Sequence, residues 1–250
     1  MAWVRNRRRE RTRSGLAAIV ALLAVLYAMV VVVRGAAGSV DAAVSSRIDL
    51  LAATDPGNAA WGGAQTPTAA PVVPPPGPAA AQPPVAVTGV EGSTPGLYGG
   101  SRTARCDVQG FVAALGQSPD RQAAWERAAG AGDGPGSFLG GLTEVVLLRD
   151  ERVTGWRSGL APFQGILQRG TAVLVDAYGV PRVRCGGLLP LSPPRPVATT
   201  PAYRGLPWAG FDPAATIVVA PGRIVETFTL VDLDTAGAPA ISRRPGEGPH

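Results

Sequence analysis

Residues Leu16 to Val33 form an uncharged run of eighteen residues, preceded by six arginines: Arg5, Arg7, Arg8, Arg9, Arg11 and Arg13. At the helical rise such a run reaches roughly 27 Å, close to the hydrocarbon thickness of a bilayer. Basic residues on its N-terminal side keep that end in the cytoplasm and send the rest outward. This predicts a cytoplasmic stub over residues 1–14, a transmembrane helix over 15–34, and an extracytoplasmic chain from about Gly35. The competing reading is a cleaved secretory signal, whose apolar region runs about 7–15 residues before a small-residue cleavage site. Ala36, Ala37 and Gly38 supply small residues, but the run here is longer, ends in Val30 to Val33, and is followed by Arg34. An uncleaved single-pass cell-membrane anchor is the preferred expectation.

Charge follows the same division. Residues 1–34 hold seven arginines and one acid, Glu10, whereas the other 216 residues hold 16 arginines and 17 acids. The net +5 therefore belongs to the membrane-facing stub, where anionic lipid heads attract basic residues. The exported part lacks the basic footprint of a nucleic-acid binder, so no nucleic-acid partner is expected. The expected partners are the membrane, through the anchor, and a cell-wall or envelope protein.

One missing and one nearly missing residue type narrow the chemistry further. There is no lysine, and the only histidine is the terminal His250. Schiff-base chemistry and the phosphate-loop lysine are excluded, as are serine–histidine and cysteine–histidine relays. Two cysteines with one terminal histidine are too few soft ligands for a structural zinc site. No metal or cofactor is expected.

Beyond the anchor, 35–65 is a juxtamembrane segment in which Ile48 and Leu50 alternate with Arg47 and Asp49, compatible equally with a short edge strand over 45–51 and with an irregular stalk. Residues 66–95 contain nine prolines and read as an extended spacer that lifts the domain off the membrane. The extracytoplasmic domain is placed at 96–235. Asp107 can cap a helix over 108–115, and Ser118-Pro119-Asp120 starts another that ends at Gly130, with Trp125 facing inward. Strands are predicted at 145–148, at 171–176 and 180–185 as a hairpin around Gly179, at 216–220 and at 226–233. Pro181 implies that the second hairpin arm lies at an edge or begins irregularly. Residues 188–201 read as a proline-rich loop and 236–250 as a disordered tail. The class is α+β: two or three short helices followed by a small antiparallel sheet.

Five blocks recur together in a known pattern: Thr94-Pro95-Gly96-Leu97-Tyr98-Gly99-Gly100, Cys106-Asp107-Val108, Gly170 to Asp176, Gly179 to Cys185, and Trp208-Ala209-Gly210-Phe211-Asp212-Pro213. In this order they resemble an actinobacterial family of domains of unknown function, DUF6777, over about Ser45 to Leu233. The resemblance implies a membrane-anchored or secreted envelope protein and carries no activity. The chain departs from the family's pattern after its second cysteine. Many members continue there, after one intervening residue, with Cys-Gly-Asn-Pro-Leu; here Gly186-Gly187-Leu188-Leu189-Pro190-Leu191 follows Cys185. The absent thiol argues against a metal or redox role for this region.

The two thiols present, Cys106 and Cys185, are both on the exported side, where an even count favours a bridge. Two buried free thiols or one reactive thiol are the alternatives, the latter disfavoured without a nearby cation of histidine or lysine type. Asp150, Glu151, Asp176, Asp212 and Glu226 fall near predicted strand ends, where paired carboxylates could support glycoside hydrolysis. Arg149, Arg152, Arg182 and Arg184 lie close enough in sequence to neutralise them. Trp208 and Phe211 are read as pinning a loop to the core, with an interaction surface as the alternative. No catalytic residue is assigned. The expectation is a non-catalytic binding or structural domain on a single-pass envelope protein, and the alternative is a cell-wall-acting hydrolase using paired carboxylates.

Overall fold

The computed structural model describes residues 45–55, 61, 88–103 and 106–248. The stub, the apolar run and most of the proline-rich stretch lie outside these residues. No helix among the described residues is long and apolar enough to cross a membrane.

Among the described residues, thirteen strands and three short α-helices make up the α+β fold. In chain order they are β1 (Ser45–Leu51), β2 (Thr88–Glu91), β3 (Tyr98–Gly100), α1 (Val108–Gly116), α2 (Pro119–Ala129), α3 (Pro135–Gly140), β4 (Thr143–Leu147), β5 (Glu151–Trp156), β6 (Pro162–Leu167), β7 (Ala172–Val175), β8 (Pro181–Arg184), β9 (Leu189–Ser192), β10 (Val197–Arg204), β11 (Ile217–Ala220), β12 (Phe228–Asp232) and β13 (Ile241–Arg243). The hydrogen-bonded path runs β10-β1-β6-β5-β9-β8-β7-β4-β3-β12-β13, with β11 joining β5 to β2 off this path.

The helices start where their local chemistry dictates. The Asp107 carboxylate accepts from the Gly110 amide at 2.8 Å, satisfying one of the orphan donors at the start of α1. Pro119 opens α2, and Gly130, at φ 71°, takes the left-handed turn that ends it. Ser118 sits at the N-cap of α2, but its hydroxyl makes no capping bond.

Alternation along the strands sorts their side chains into separate interiors. Tyr98, Val145, Leu147, Val153, Leu167, Val173, Val175, Leu191, Ile217, Val219 and Leu230 share the main core, which draws on strands from distant parts of the path. On the opposite face of β7 and β8, Leu174 and Val183 pack against Phe111, Leu115, Trp125 and Leu139 of the helices. Trp125 has no exposed surface; Phe111 and Phe138 meet it edge-on at 5.3 and 6.0 Å. A third, smaller cluster joins Ile48, Leu50 and Ile166 under Trp208 and Phe211.

Several expectations need correction. The sheet is large and mixed rather than small and antiparallel, because β1 runs parallel to both β10 and β6, and β11 parallel to β2 and β5. β1 is not an edge strand: it is paired on both sides. Of the two readings of Pro181 the edge is overturned, since β8 lies between β7 and β9, whereas the irregular start is present as a register shift where Val175 meets Pro181; a proline at a first strand position leaves the rest of the ladder intact. The presumed loop at 188–201 holds β9 and the start of β10. The tail carries β13, where the buried Arg243 donates to the Glu144 and Ser101 carbonyls at 2.6 and 2.7 Å. The proline-rich stretch joins β1 to β2, two strands of one sheet, and residues 88–91 within its expected span form β2 itself. It connects two strands of the sheet and does not precede the domain.

Candidate functional site

At the C-terminal ends of β1 and β10, a cleft of about 320 Å³ opens against the β5–β6 hairpin and the turn after β8. Its charged groups are Asp49, Asp55, Arg157, Arg184 and Arg204, and its apolar walls are Leu50, Leu51, Leu189, Trp61 and Phe163. Parallel pairing of β1 with β10 sets Asp49 opposite Arg204 in register.

Each wall is held by a specific local feature. Arg157 begins the hairpin turn, pairs with Asp49, and stacks its guanidinium 3.9 Å from the Phe163 ring centroid. The turn closes at Leu160, whose φ of 58° is a left-handed conformation costly for a branched residue. The Trp61 indole donates to the Trp156 carbonyl at 2.8 Å, so this buried ring is fixed in orientation. Gly186 gives the floor its clearance. A Cβ there would sit 3.1 Å from the Asp55 carbonyl oxygen and 3.4 Å from Arg184 Cζ.

Arg184 is buried, with 1 % of its surface exposed. Its Nη2 donates to the carbonyl oxygens of Ala52, at 2.9 Å, and Asp55, while its buried Nε has no acceptor. Burial pulls its affinity for the proton down and the neighbouring Asp55 charge opposes this; an arginine still stays charged across the accessible pH range.

Beside the cleft, Cys106 and Cys185 form a disulfide with Cα atoms 5.0 Å apart, within the range a bridge requires. Glu144 Oε2 accepts from the Cys106 amide at 3.0 Å, and the Ala172 carbonyl accepts from the Cys185 amide at 3.0 Å. The bridge thus ties the start of α1 to the strand that carries Arg184. Immediately after it, Gly187 and Leu188 both take positive φ, 72° and 44°. The strain at Leu188 is offset by its buried side chain and by the Trp125 indole, which donates to its carbonyl at 3.0 Å.

Trp208 and Phe211 do not line the cleft. Their rings meet edge-on at 5.0 Å, Phe211 meets Tyr203 at 5.7 Å, and the Trp208 indole donates to Asp150 Oδ2 at 3.0 Å. They cap the Ile48–Leu50–Ile166 cluster, and Leu206 beside them is 90 % exposed.

The five acids singled out in the sequence are scattered. Asp150 accepts from the Arg169 amide at 2.7 Å as well as from Trp208. Glu151, its neighbour, points to the opposite side, into the main core between its strand partners Leu167 and Ile217. There it is 1 % exposed, its Oε2 has no partner, and burial pushes its carboxyl up to about 8. Asp176 orders the β7–β8 turn through the Tyr178 and Val180 amides and pairs with Arg182 at 3.4 Å. Asp212 caps the short turn at Pro213–Ala215. Glu226 is exposed. The acids of the cleft, Asp49 and Asp55, were not among the five. Arg157 and Arg204 were likewise not among the four arginines noted beside those acids, because only the β1–β10 and β5–β6 pairings bring them together. Among the described residues, no group of three or more histidine, cysteine or acidic side chains could hold a metal ion.

No curated protein and no solved structure matches the chain. Residues 88–246 match the model of a domain of unknown function, a span that starts at β2, leaves β1 outside and runs past β13. That match covers more than half of the sequence, and the protein belongs to the DUF6777 family.

Proposed function

We propose that this protein is a membrane-tethered, extracytoplasmic binding protein whose recognition site is the arginine-lined cleft. The observation that carries the reading is the state of the cleft's charges. Asp49 is engaged by Arg157 and Asp55 stands beside Arg184, so the site presents fixed, mutually oriented charges on strand ends. Such an arrangement suits recognition rather than proton transfer, which needs a group poised between two protonation states. The disulfide supports export, since such bridges persist in oxidising compartments. The arginine-flanked apolar run supports retention at the membrane. Because β1 belongs to the sheet, the tether in this reading is residues 35–44, at most about 35 Å of extended chain.

Photo-crosslinking in intact cells tests the reading. A photoreactive residue replaces Ser158 at the exposed edge of the cleft or, in a control, the exposed Asp133 near the helices. Adducts at position 158 and none at 133 are the expected result. Equal yields at both positions, or none at either, would refute a dedicated site at the cleft.

A further inference from the structure

We propose that the cleft binds a small organic acid, a single carboxylate carried on an apolar body. The proposal rests on the cleft being the recognition site and names the chemistry of its ligand. Its charge balance comes first. Three arginines face two aspartates; Asp49 is paired with Arg157, and Asp55 lies against Arg184. Arg204 remains. It is exposed at the mouth, and its side chain enters no hydrogen bond or ion pair among the described residues. One positive charge is left over, matching one carboxylate.

Arg184 supplies a second, independent observation. A guanidinium donor buried without an acceptor costs roughly 1–3 kcal/mol, and more when charged, so native proteins seldom leave one unpaired. Arg184, one of the residues lining the cleft, has such a donor in its buried Nε, while Nη2 is committed to two backbone carbonyls. Gly186 keeps the space above this guanidinium free of a side chain. A planar carboxylate is the natural partner of a planar guanidinium.

The remaining walls choose the rest of the ligand. Leu50, Leu51, Leu189, Trp61 and Phe163 give it an apolar enclosure, and about 320 Å³ is at the small end for ligand sites, enough for one ring or a short side chain. Inorganic phosphate, largely a dianion, would exceed the available charge and leave these walls unused. A free organic acid and the carboxyl terminus of a peptide share the required chemistry.

The test is calorimetric titration of the full chain in detergent micelles. The probes are benzoate, the dipeptide N-acetyl-leucyl-alanine, benzyl alcohol and inorganic phosphate. Benzoate or the dipeptide should bind, with benzyl alcohol and phosphate at least about tenfold weaker; the tighter of the two acids identifies the source as free acid or peptide terminus. Arg204→Gln should weaken acid binding at least about tenfold with an unchanged melting temperature, and added salt should weaken it further. Comparable binding of benzyl alcohol, tighter binding of phosphate, insensitivity to Arg204→Gln, or no acid binding at 10 mM would each overturn the proposal. Adducts at position 158 without acid binding would refute the carboxylate ligand and leave the recognition site standing; loss of both results would remove both.

Discussion

Replacing Glu151 with glutamine should remove most of a pH dependence that runs opposite to ordinary acid denaturation. Glu151 sits in the main core with Oε2 unpartnered, and burial raises its carboxyl from 4.5 to about 8. Between those values the folded chain holds a proton there that the unfolded chain releases, so folding stability falls as pH rises through this window. At 1.36 kcal/mol per pH unit, the full fall is roughly 4–5 kcal/mol, of which about 3 is already lost at pH 7. Below pH 4.5 the group is neutral in both states, and above pH 8 it is ionised in both; outside the window its contribution is level. Glutamine keeps the shape but never ionises. Its second amide proton needs an acceptor, which should cost Glu151→Gln about 1–2 kcal/mol at pH 5. At pH 8.5 the variant should instead be the more stable by about 2–4 kcal/mol. Denaturant unfolding of wild type and variant, followed by tryptophan fluorescence at pH 5 and 8.5, reads the difference directly. If the two stability curves stay parallel within about 1 kcal/mol, Glu151 does not change protonation on unfolding and the reasoning fails.

Four further outcomes follow from particular contacts. Cys106→Ser should cost up to roughly 4–5 kcal/mol, because the bridge closes a loop across 79 positions, and non-reducing peptide mapping should find the pair linked in the wild type. Arg243→Ala should cost about 2–4 kcal/mol in denaturant unfolding, since it strips two buried carbonyls of their donor; a neutral result would return the tail to the frayed role expected of it. A protease site inserted at the proline run should, once cut, leave the β1 fragment bound until denaturant is added, because β10 and β6 flank that strand; spontaneous release would contradict the topology. Asp232 is pushed up by burial, but the Asp234 and Thr235 amides and Arg102 outweigh this and hold it below its ordinary range. Its contribution should therefore be lost as pH falls through that depressed value, and Asp232→Asn should flatten the acid limb of the stability curve.

Much of the helical region and the central hairpin could be read directly from the chain. Asp107, Pro119 and Gly130 act on amides within one turn of themselves, so their signals are local and complete. The β7–β8 turn is equally local, with Gly179 at φ 75° and the Asp176 side chain holding its amides. β5 and β6 were hidden for the opposite reason. Gln164 and Thr154 are buried polar residues whose partners are each other, the Arg195 amide and the Pro193 carbonyl. Gly155 lies under the Phe163 ring, where a Cβ would approach to 2.5 Å. Such residues look like loop until the neighbouring strand is in place.

From sequence alone come the arginine-flanked apolar run, the family resemblance, and the two cysteines that could meet, because charge, length and residue type are properties of the chain itself. Tertiary structure decided that β1 is an internal strand of the domain and that the proline-rich stretch connects two strands of its sheet. It also assembled the cleft: Asp49, Arg157, Arg184 and Arg204 come together only through parallel pairing of β1 with β10 and the fold of the β5–β6 hairpin. Parallel pairing between strands more than a hundred residues apart leaves no periodic trace in either strand, and so a site built on it becomes visible only when the chain has folded.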